Sequence, residues 1–209
     1  MSNDEINFLR PFGPSIAKVK IPEDIISNLN QYIDEIILDE KKSLELDHGK
    51  NLAGNVKQEF IIEPDILKSS GIANFLGKAV QKWIQEIEKK NITEFKIISS
   101  WIVRQFENEY NPIHYHDGHI SGVGYLKIPE SYGKPFQKTK NSNINGHLSL
   151  VHGSRMFNSS SIVNIEPKLG DFYLFPNYLM HCVYPFYGKD ERRSISFNAN
   201  IDEKIYNVY

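Results

Sequence analysis

The sequence predicts an α+β fold, a jelly-roll barrel of short strands with supporting helices at its N-terminal side. Three observations predict it. Two long stretches before residue 92 carry apolar residues at helical spacing. After Asn91 the apolar period changes to two, and from there turn signals recur between short apolar runs. Helices grouped on one side of many short strands form an α+β layout. A length of 209 residues suits one domain with a substantial core. Residues 1–92 would be mainly a helical buttress and residues 93–209 the jelly-roll core.

The first helix begins at Pro22, which suits a first-turn position, and carries Ile25, Ile26, Leu29, Tyr32, Ile33, Ile36 and Ile37 on one stripe. Glu23 and Asp24 favour its positive end. The polar segment Asp39–Lys57, with His48-Gly49 and Ala53-Gly54-Asn55, is expected to be a loop. A second helix runs through Ile72, Phe75, Leu76, Ala79, Val80, Trp83, Ile84 and Ile87, with Trp83 in the core. Strands are predicted at Phe95–Phe106, Ile120–Ile128, Leu148–Val151, Ile162–Ile165, Asp171–Phe175, His181–Val183 and Arg192–Asn200. Asn111-Pro112, Asp117-Gly118, Asn145-Gly146, Leu169-Gly170 and Tyr187-Gly188 separate them. Residues 130–145 form a long polar loop, a lid or a plain surface excursion.

A net charge of −2 gives no electrostatic footprint for nucleic acid or an anionic membrane. Cys182 is the sole cysteine, so no intrachain disulfide forms and a reducing, cytoplasmic home is expected. The first twenty residues lack the apolar segment of a signal peptide, and no run approaches the roughly 20 apolar residues of a membrane span. The oligomeric state is not legible.

Chemistry concentrates in two stretches. In the first, His114 and His116 stand two apart, so on an extended strand both side chains aim at one point, where a borderline divalent transition metal would be at home. His181 lies in the second stretch, followed by a strand on which Arg192, Ser194, Ser196 and Asn198 share one face. An arginine aimed into a barrel needs a carboxylate, and a ligand's carboxylate held by the guanidinium and a serine hydroxyl is an attractive partner. His119, His147 and His152 read as surface or outer histidines, His48 as solvated, and Tyr110 and Trp101 as packing residues near the barrel rim.

These residues resemble the iron(II)/2-oxoglutarate-dependent oxygenases, closest to the small oxygenases of marine bacteria and their phages. The motifs are N-x-x-H-x-H running into S-G-x-x-Y-L, then G-D-x-x-x-F-P-x-x-x-x-H-x-V-x-P, then R-x-S-I-S-F-N, within residues 101–200. The Ala53-Gly54-Asn55 stretch is similar as well. The resemblance implies a double-stranded β-helix, Fe(II), 2-oxoglutarate as co-substrate, O2, and hydroxylation of an unknown substrate with decarboxylation of 2-oxoglutarate to succinate. Prolyl-hydroxylase-like relatives point to a peptide or amino acid. By resemblance His181 is the distal iron ligand and His114 the first. Arg192 holds the far carboxylate of 2-oxoglutarate with help from Ser194, Tyr125 lines the co-substrate pocket, and Arg193 is the fallback.

The family's usual carboxylate ligand is replaced here by His116. Three readings stay open: a centre of His114, His116 and His181; Asp117 as the carboxylate, turned inward by a bulge; or His116 as first ligand with Gly118 in a vacant carboxylate slot, as in iron halogenases. Other classes also stand: a cupin-type metalloenzyme, whose usual glutamate is missing from His119-Ile120-Ser121; a three-histidine thiol-dioxygenase-like enzyme; and a non-enzymatic jelly-roll binding or structural module.

Overall fold

The period-two stretches become the strands of two facing antiparallel sheets, and the helical stripes cover the outer face of the larger one. The computed structural model describes residues 7–9, 13–135 and 137–207, residues 7–9 as backbone only. In chain order the elements are β1 (Asn7–Leu9), β2 (Ile16–Lys20), α1 (Glu23–Leu38), α2 (Glu40–Leu46), β3 (Gln58–Ile61), α3 (Pro64–Ser69) and α4 (Ile72–Glu88). Then come β4 (Phe95–Gln105), β5 (Asn111–His114), β6 (Ile120–Lys127), β7 (Leu148–Val151), β8 (Ile162–Ile165), β9 (Asp171–Pro176), β10 (Met180–Val183), β11 (Arg192–Ile201) and α5 (Glu203–Tyr206). A seven-stranded sheet runs β1-β2-β9-β6-β11-β4-β3, and a four-stranded sheet runs β5-β10-β7-β8. This is the expected α+β jelly roll with N-terminal helices.

Every strand read from the sequence is present to within a residue or two. Several elements were not read, β1, α3 and α5 among them. β2 and β3 are short strands at and near the edges of the large sheet, so residues before 92 complete the barrel as well as buttress it. α2, inside the expected loop, buries none of its side chains and so left no apolar stripe in the sequence. β5 is only four residues long and begins at the turn-like Asn111-Pro112. Pro22 is the N-cap of α1 rather than a first-turn residue. The stretch expected to lack a signal peptide includes residues 1–6 and 10–12, which lie outside the described residues. Among the described residues no helix is long and apolar enough to cross a membrane.

Alternation along β11 divides the interior in two. Ile195, Phe197, Ala199 and Ile201 join α1 and α4 in the main core, where Trp83 is 2% exposed, as expected. Each such apolar side chain contributes roughly 1.5–3 kcal/mol by burial. Arg192, Ser194, Ser196 and Asn198 take the opposite face, toward the small sheet. A second core of Tyr125, Leu148, Leu150, Phe175 and Val183 fills the space between the sheets. Gly122 of β6 lies so close under the Phe172 and Phe197 rings that an added Cβ would stand 2.7 and 2.8 Å from them. The glycine of the S-G-x-x-Y-L motif thus serves ring packing against the sheet.

Arg193 faces the helices and fastens them to the barrel. Its guanidinium donates to Glu191 (2.9 and 3.1 Å), to the Asn30 side chain (3.0 Å) and to Asp34 (2.8 Å) of α1. Glu191 also accepts from Arg104 at 2.7 Å. Burial alone would raise the Glu191 pKa, but hydrogen bonds from Arg193 and Arg104 hold it down at about 2. A carboxylate lowered on folding adds stability that is complete above its unfolded pKa and disappears as pH falls through the folded one. Stability should therefore decline between about pH 4.5 and pH 2 through this group. Glu191→Ala, which takes the shared carboxylate from the buried Arg193 and the partly buried Arg104, should cost about 3 kcal/mol in urea denaturation at pH 7. A loss below about 1 kcal/mol would rule out the clamp.

Candidate metal centre and its pocket

The small sheet brings two of the three sequence-predicted histidines together by register. His181 of β10 is the direct cross-strand partner of His114 of β5. His116 lies beyond the end of β5, so the reason for its convergence differs from the strand alternation expected. Its N–H donates to Asn177 O (3.0 Å) and its C=O accepts from Asn177 Nδ2 (3.1 Å). Asn177 is held in turn by the Tyr206 hydroxyl at 3.2 Å. The ligand-capable atoms of His114, His116 and His181 all lie within 4.8 Å of one another. Asp117 is exposed and stands outside that group, on the turn where Gly118 has φ +79°.

Hydrogen bonding selects the ring nitrogens that face inward. His114 Nδ1 lies 2.7 Å from Pro112 O and His181 Nδ1 lies 2.8 Å from Leu179 O. Each Nδ1–H donates to its carbonyl, which leaves Nε2 with a free lone pair. Burial lowers the pKa of all three rings, that of His116 to about 3 and that of His181 to about 4, and for these two the neighbouring imidazoles add to the effect. The cluster is neutral at pH 7, as imidazole ligands must be. His116 Nε2 and His181 Nε2 stand 3.1 Å apart. Two nitrogens about 2.1 Å from one ion at a right angle would be separated by about 3.0 Å. The donor set therefore fits a divalent transition metal. Trp101 is more than rim packing, because its ring stacks obliquely on His116 at 5.5 Å.

Arg192 lies across a narrow cavity of about 30 Å³ that His114, His116, His181, Tyr125 and Ser194 also line. That is room for about two waters, so a larger guest requires the lining side chains to move apart. Arg192 is 2% exposed and has no carboxylate beside it. Its Nη1 donates to Gly146 O at 2.8 Å, its Nη2 donates to Gln105 Oε1, and its Nε has no partner among the described residues. Burial pushes its pKa down, against the favourable influence of Tyr125 and Tyr132. A buried cation with an unused donor is the feature that a bound carboxylate would complete. Ser194 is the direct neighbour of both Tyr125 and Val103 in the large sheet. The structure thus gathers every sequence-predicted site residue except Asp117 and the fallback Arg193, which faces the helices. Sequence reasoning missed Gln105, Tyr132 and Gly146; only the Asn145-Gly146 turn marked one of them. His119, read as a surface or outer histidine, is buried at 8% exposure, stacked on Tyr206 at 3.9 Å and tied to the backbone of Ile201.

A jelly roll with three imidazoles and a buried guanidinium around one cavity is an arrangement suited to a divalent transition metal beside a carboxylate ligand. Residues 99–198 match the family model described as "Putative 2OG-Fe(II) oxygenase". This segment, just under half of the chain, is similar to the 2OG-Fe(II) oxygenases, oxidoreductases that use Fe(II) as cofactor and 2-oxoglutarate as co-substrate. No curated protein matches the sequence. Among solved structures, the viral collagen prolyl hydroxylase of Paramecium bursaria Chlorella virus-1, in complex with 2-oxoglutarate, is 15% identical with a TM-score of 0.55, covering 88% of this chain and 94% of that one. A Pseudomonas putida prolyl-4-hydroxylase is 14% identical with a TM-score of 0.51, covering 94% of each chain. A Trichoplax adhaerens prolyl hydroxylase, in complex with a hypoxia-inducible factor peptide fragment, is 16% identical with a TM-score of 0.55, covering 99% of this chain and 87% of that one. At these identities the likeness is one of fold.

A wider cleft of about 430 Å³ opens beside the same histidines, with Asn111, His114 and His116 lining both spaces. At its inner wall sits Glu59 of β3, a residue the sequence reading passed over. It is 1% exposed, and its Oε2 has no hydrogen-bond partner among the described residues. Burial, reinforced by Asp47, raises its pKa to about 7. A carboxyl group raised on folding binds its proton more tightly in the native state, so stability is lost as pH rises between the unfolded and folded values. Wild type should lose about 3 kcal/mol relative to Glu59→Gln between pH 4.5 and pH 7, with no further change above. Denaturation curves of both proteins across pH 4–9 measure this; parallel pH profiles would show that Glu59 stays ionised throughout.

Proposed function

We propose that this chain is an Fe(II)- and 2-oxoglutarate-dependent dioxygenase that hydroxylates a peptide or amino-acid substrate, with decarboxylation of 2-oxoglutarate to succinate. The observation that supports it best is the buried Arg192, with an unpartnered Nε, across a narrow cavity from three neutral imidazoles. In this reading His114, His116 and His181 hold the iron. Bound there, iron(II) supplies dioxygen activation coupled to the oxidation of 2-oxoglutarate. Arg192 donates to the far carboxylate of the co-substrate, the Ser194 hydroxyl adds a second donor, and Tyr125 walls the pocket with its ring 5.9 Å from the guanidinium. Fixing a flexible dicarboxylate at one end sets the position of its other end beside the histidines. The hydrogen bonds to Pro112 O and Leu179 O keep two imidazoles oriented as ligands, and Trp101 keeps water from one face of His116.

Residues 1–209 act as one domain in this proposal, since β2 and β3 complete the catalytic sheet. The free thiol of Cys182 agrees with a reducing, cytoplasmic setting, and the motifs agree with a source among marine bacteria or their phages.

The test is an anaerobic titration of metal-free protein with Fe(II) and then 2-oxoglutarate, following the visible charge-transfer band of the chelated co-substrate. Wild type should develop the band. Arg192→Ala should weaken 2-oxoglutarate binding by about 2–5 kcal/mol, in keeping with loss of a buried charge-assisted contact. His116→Ala should lose iron. Iron binding without the band would sink the 2-oxoglutarate reading, and tight iron binding by His116→Ala would move the third ligand to Asp117.

A further inference from the structure

We propose that the cleft beside His114 and His116 receives a substrate bearing an ammonium or guanidinium group, held by the Glu59 carboxylate and the Asn111 side-chain carbonyl. This rests on the oxygenase reading above, which makes the cleft the place where a substrate would react.

Sheet register aims Glu59 at the site. Glu59 pairs with Val103, Val103 with Ser194, and Ser194 with Tyr125, so the four residues form one rung across β3, β4, β11 and β6. Directly paired residues point to the same face. Glu59 therefore projects toward the barrel interior, as Ser194 and Tyr125 do, from a Cα about 10 Å from that of Ser194.

The loop before β3 closes over the carboxylate with two glycines. A Cβ on Gly49 would stand 3.3 Å from Asp47 Oδ1 and 3.7 Å from Glu59 Oε2. One on Gly54 would stand 2.7 Å from both Glu59 Oε1 and Asn111 Oδ1. Gly54 thus marks where the two acceptors converge, and it is held there by the Asn55–Tyr110 bridge. Both Glu59 Oε2 and Asn111 Oδ1 are buried without a hydrogen-bond donor. Orphaned buried acceptors on two side chains that meet at one glycine are costly and call for a donor.

The charge of the cleft identifies that donor. Glu59 and Asp117 line it, and neither lysine nor arginine is among its lining residues. Trp101 and Tyr115 add aromatic faces, which also attract organic cations. A volume of about 430 Å³ is within the range of small-molecule sites, enough for a free amine or a single side chain.

Calorimetry and saturation-transfer NMR on metal-free protein test the proposal. The cationic probes are butylguanidine, pentylamine and the N-acetyl amides of arginine and lysine. Their neutral counterparts are butylurea, pentanol and the N-acetyl amides of citrulline and norleucine. In wild type at least one cation should bind about tenfold or more tightly than its neutral counterpart. Preference for the small amines over the capped residues identifies a free amine as the source, and the reverse identifies a peptide side chain. Glu59→Gln should abolish the preference, and Asn111→Ala should reduce it about threefold or more. Thermal melts check that both variants fold, so either one can decide the matter. Absence of any cation preference in wild type, or its survival in a folded variant of Glu59 and in one of Asn111, overturns the proposal. Binding of 2-oxoglutarate to Fe(II)-loaded wild type is measured in parallel. If 2-oxoglutarate binds and cations are not preferred, only this inference falls; if cations are preferred and 2-oxoglutarate does not bind, only the oxygenase reading falls.

Discussion

The structure depends on an arginine that is buried and left incomplete. Arg192 and Arg193 are consecutive on β11, equally buried, and opposite in consequence. Arg193 meets Glu191, Asp34 and Asn30, and its charge is spent on joining helix to sheet. Arg192 meets one backbone carbonyl and one amide oxygen, both neutral. Holding a guanidinium in such surroundings costs stability unless an anion arrives. The well-paired neighbour one residue on anchors the strand that keeps Arg192 there. A bound carboxylate would then convert stored desolvation into binding.

The histidine cluster follows the same logic of fixed position. Only His114 and His181 are placed by strand pairing. His116 is placed by one residue, Asn177, whose backbone C=O accepts from its N–H and whose side-chain amide donates to its C=O. Asn177 N also donates to His119 O, and Tyr206 of the last helix braces the Asn177 amide. The centre is thus tied to the C-terminal end of the chain through hydrogen bonds that no spacing rule encodes. Neutral rings, aligned by carbonyls behind two of them, are ready for a metal without first releasing protons.

How much of this the sequence revealed depends on the range of the interactions. Alternation and helical stripes are local, so the long strands and both main helices were legible, as was the shared face of Arg192 and Ser194. The resemblance placed His114, His181 and Arg192, and register then brought them together. Short elements without an apolar pattern were not legible: α2 buries nothing, and β3 spans four residues at a sheet edge. Glu59 was hidden for that reason. A glutamate beside Phe60 in Gln58-Glu59-Phe60-Ile61 reads as the solvent side of an edge strand, and only the loop folding over it makes it buried. Gly146 O and Gln105 Oε1 were equally illegible, because their role depends on which chain segments meet Arg192.

Glu59 and Arg192 complete one electrostatic pattern. They are buried ionisable groups of opposite sign that form no ion pair with each other. Glu59 sits on the rung of Val103 and Ser194, while Arg192 pairs with Gln105, two residues along. Two strand spacings across and two residues along put their Cα atoms about 12 Å apart, too far for an ion pair. The histidines border both of the spaces between them. An anionic guest is drawn to the narrow cavity by Arg192 and repelled from the cleft by Glu59 and Asp117. A cationic guest meets the opposite preference. In the proposed oxygenase, two ligands at one metal would thereby be sorted by charge before shape has any say.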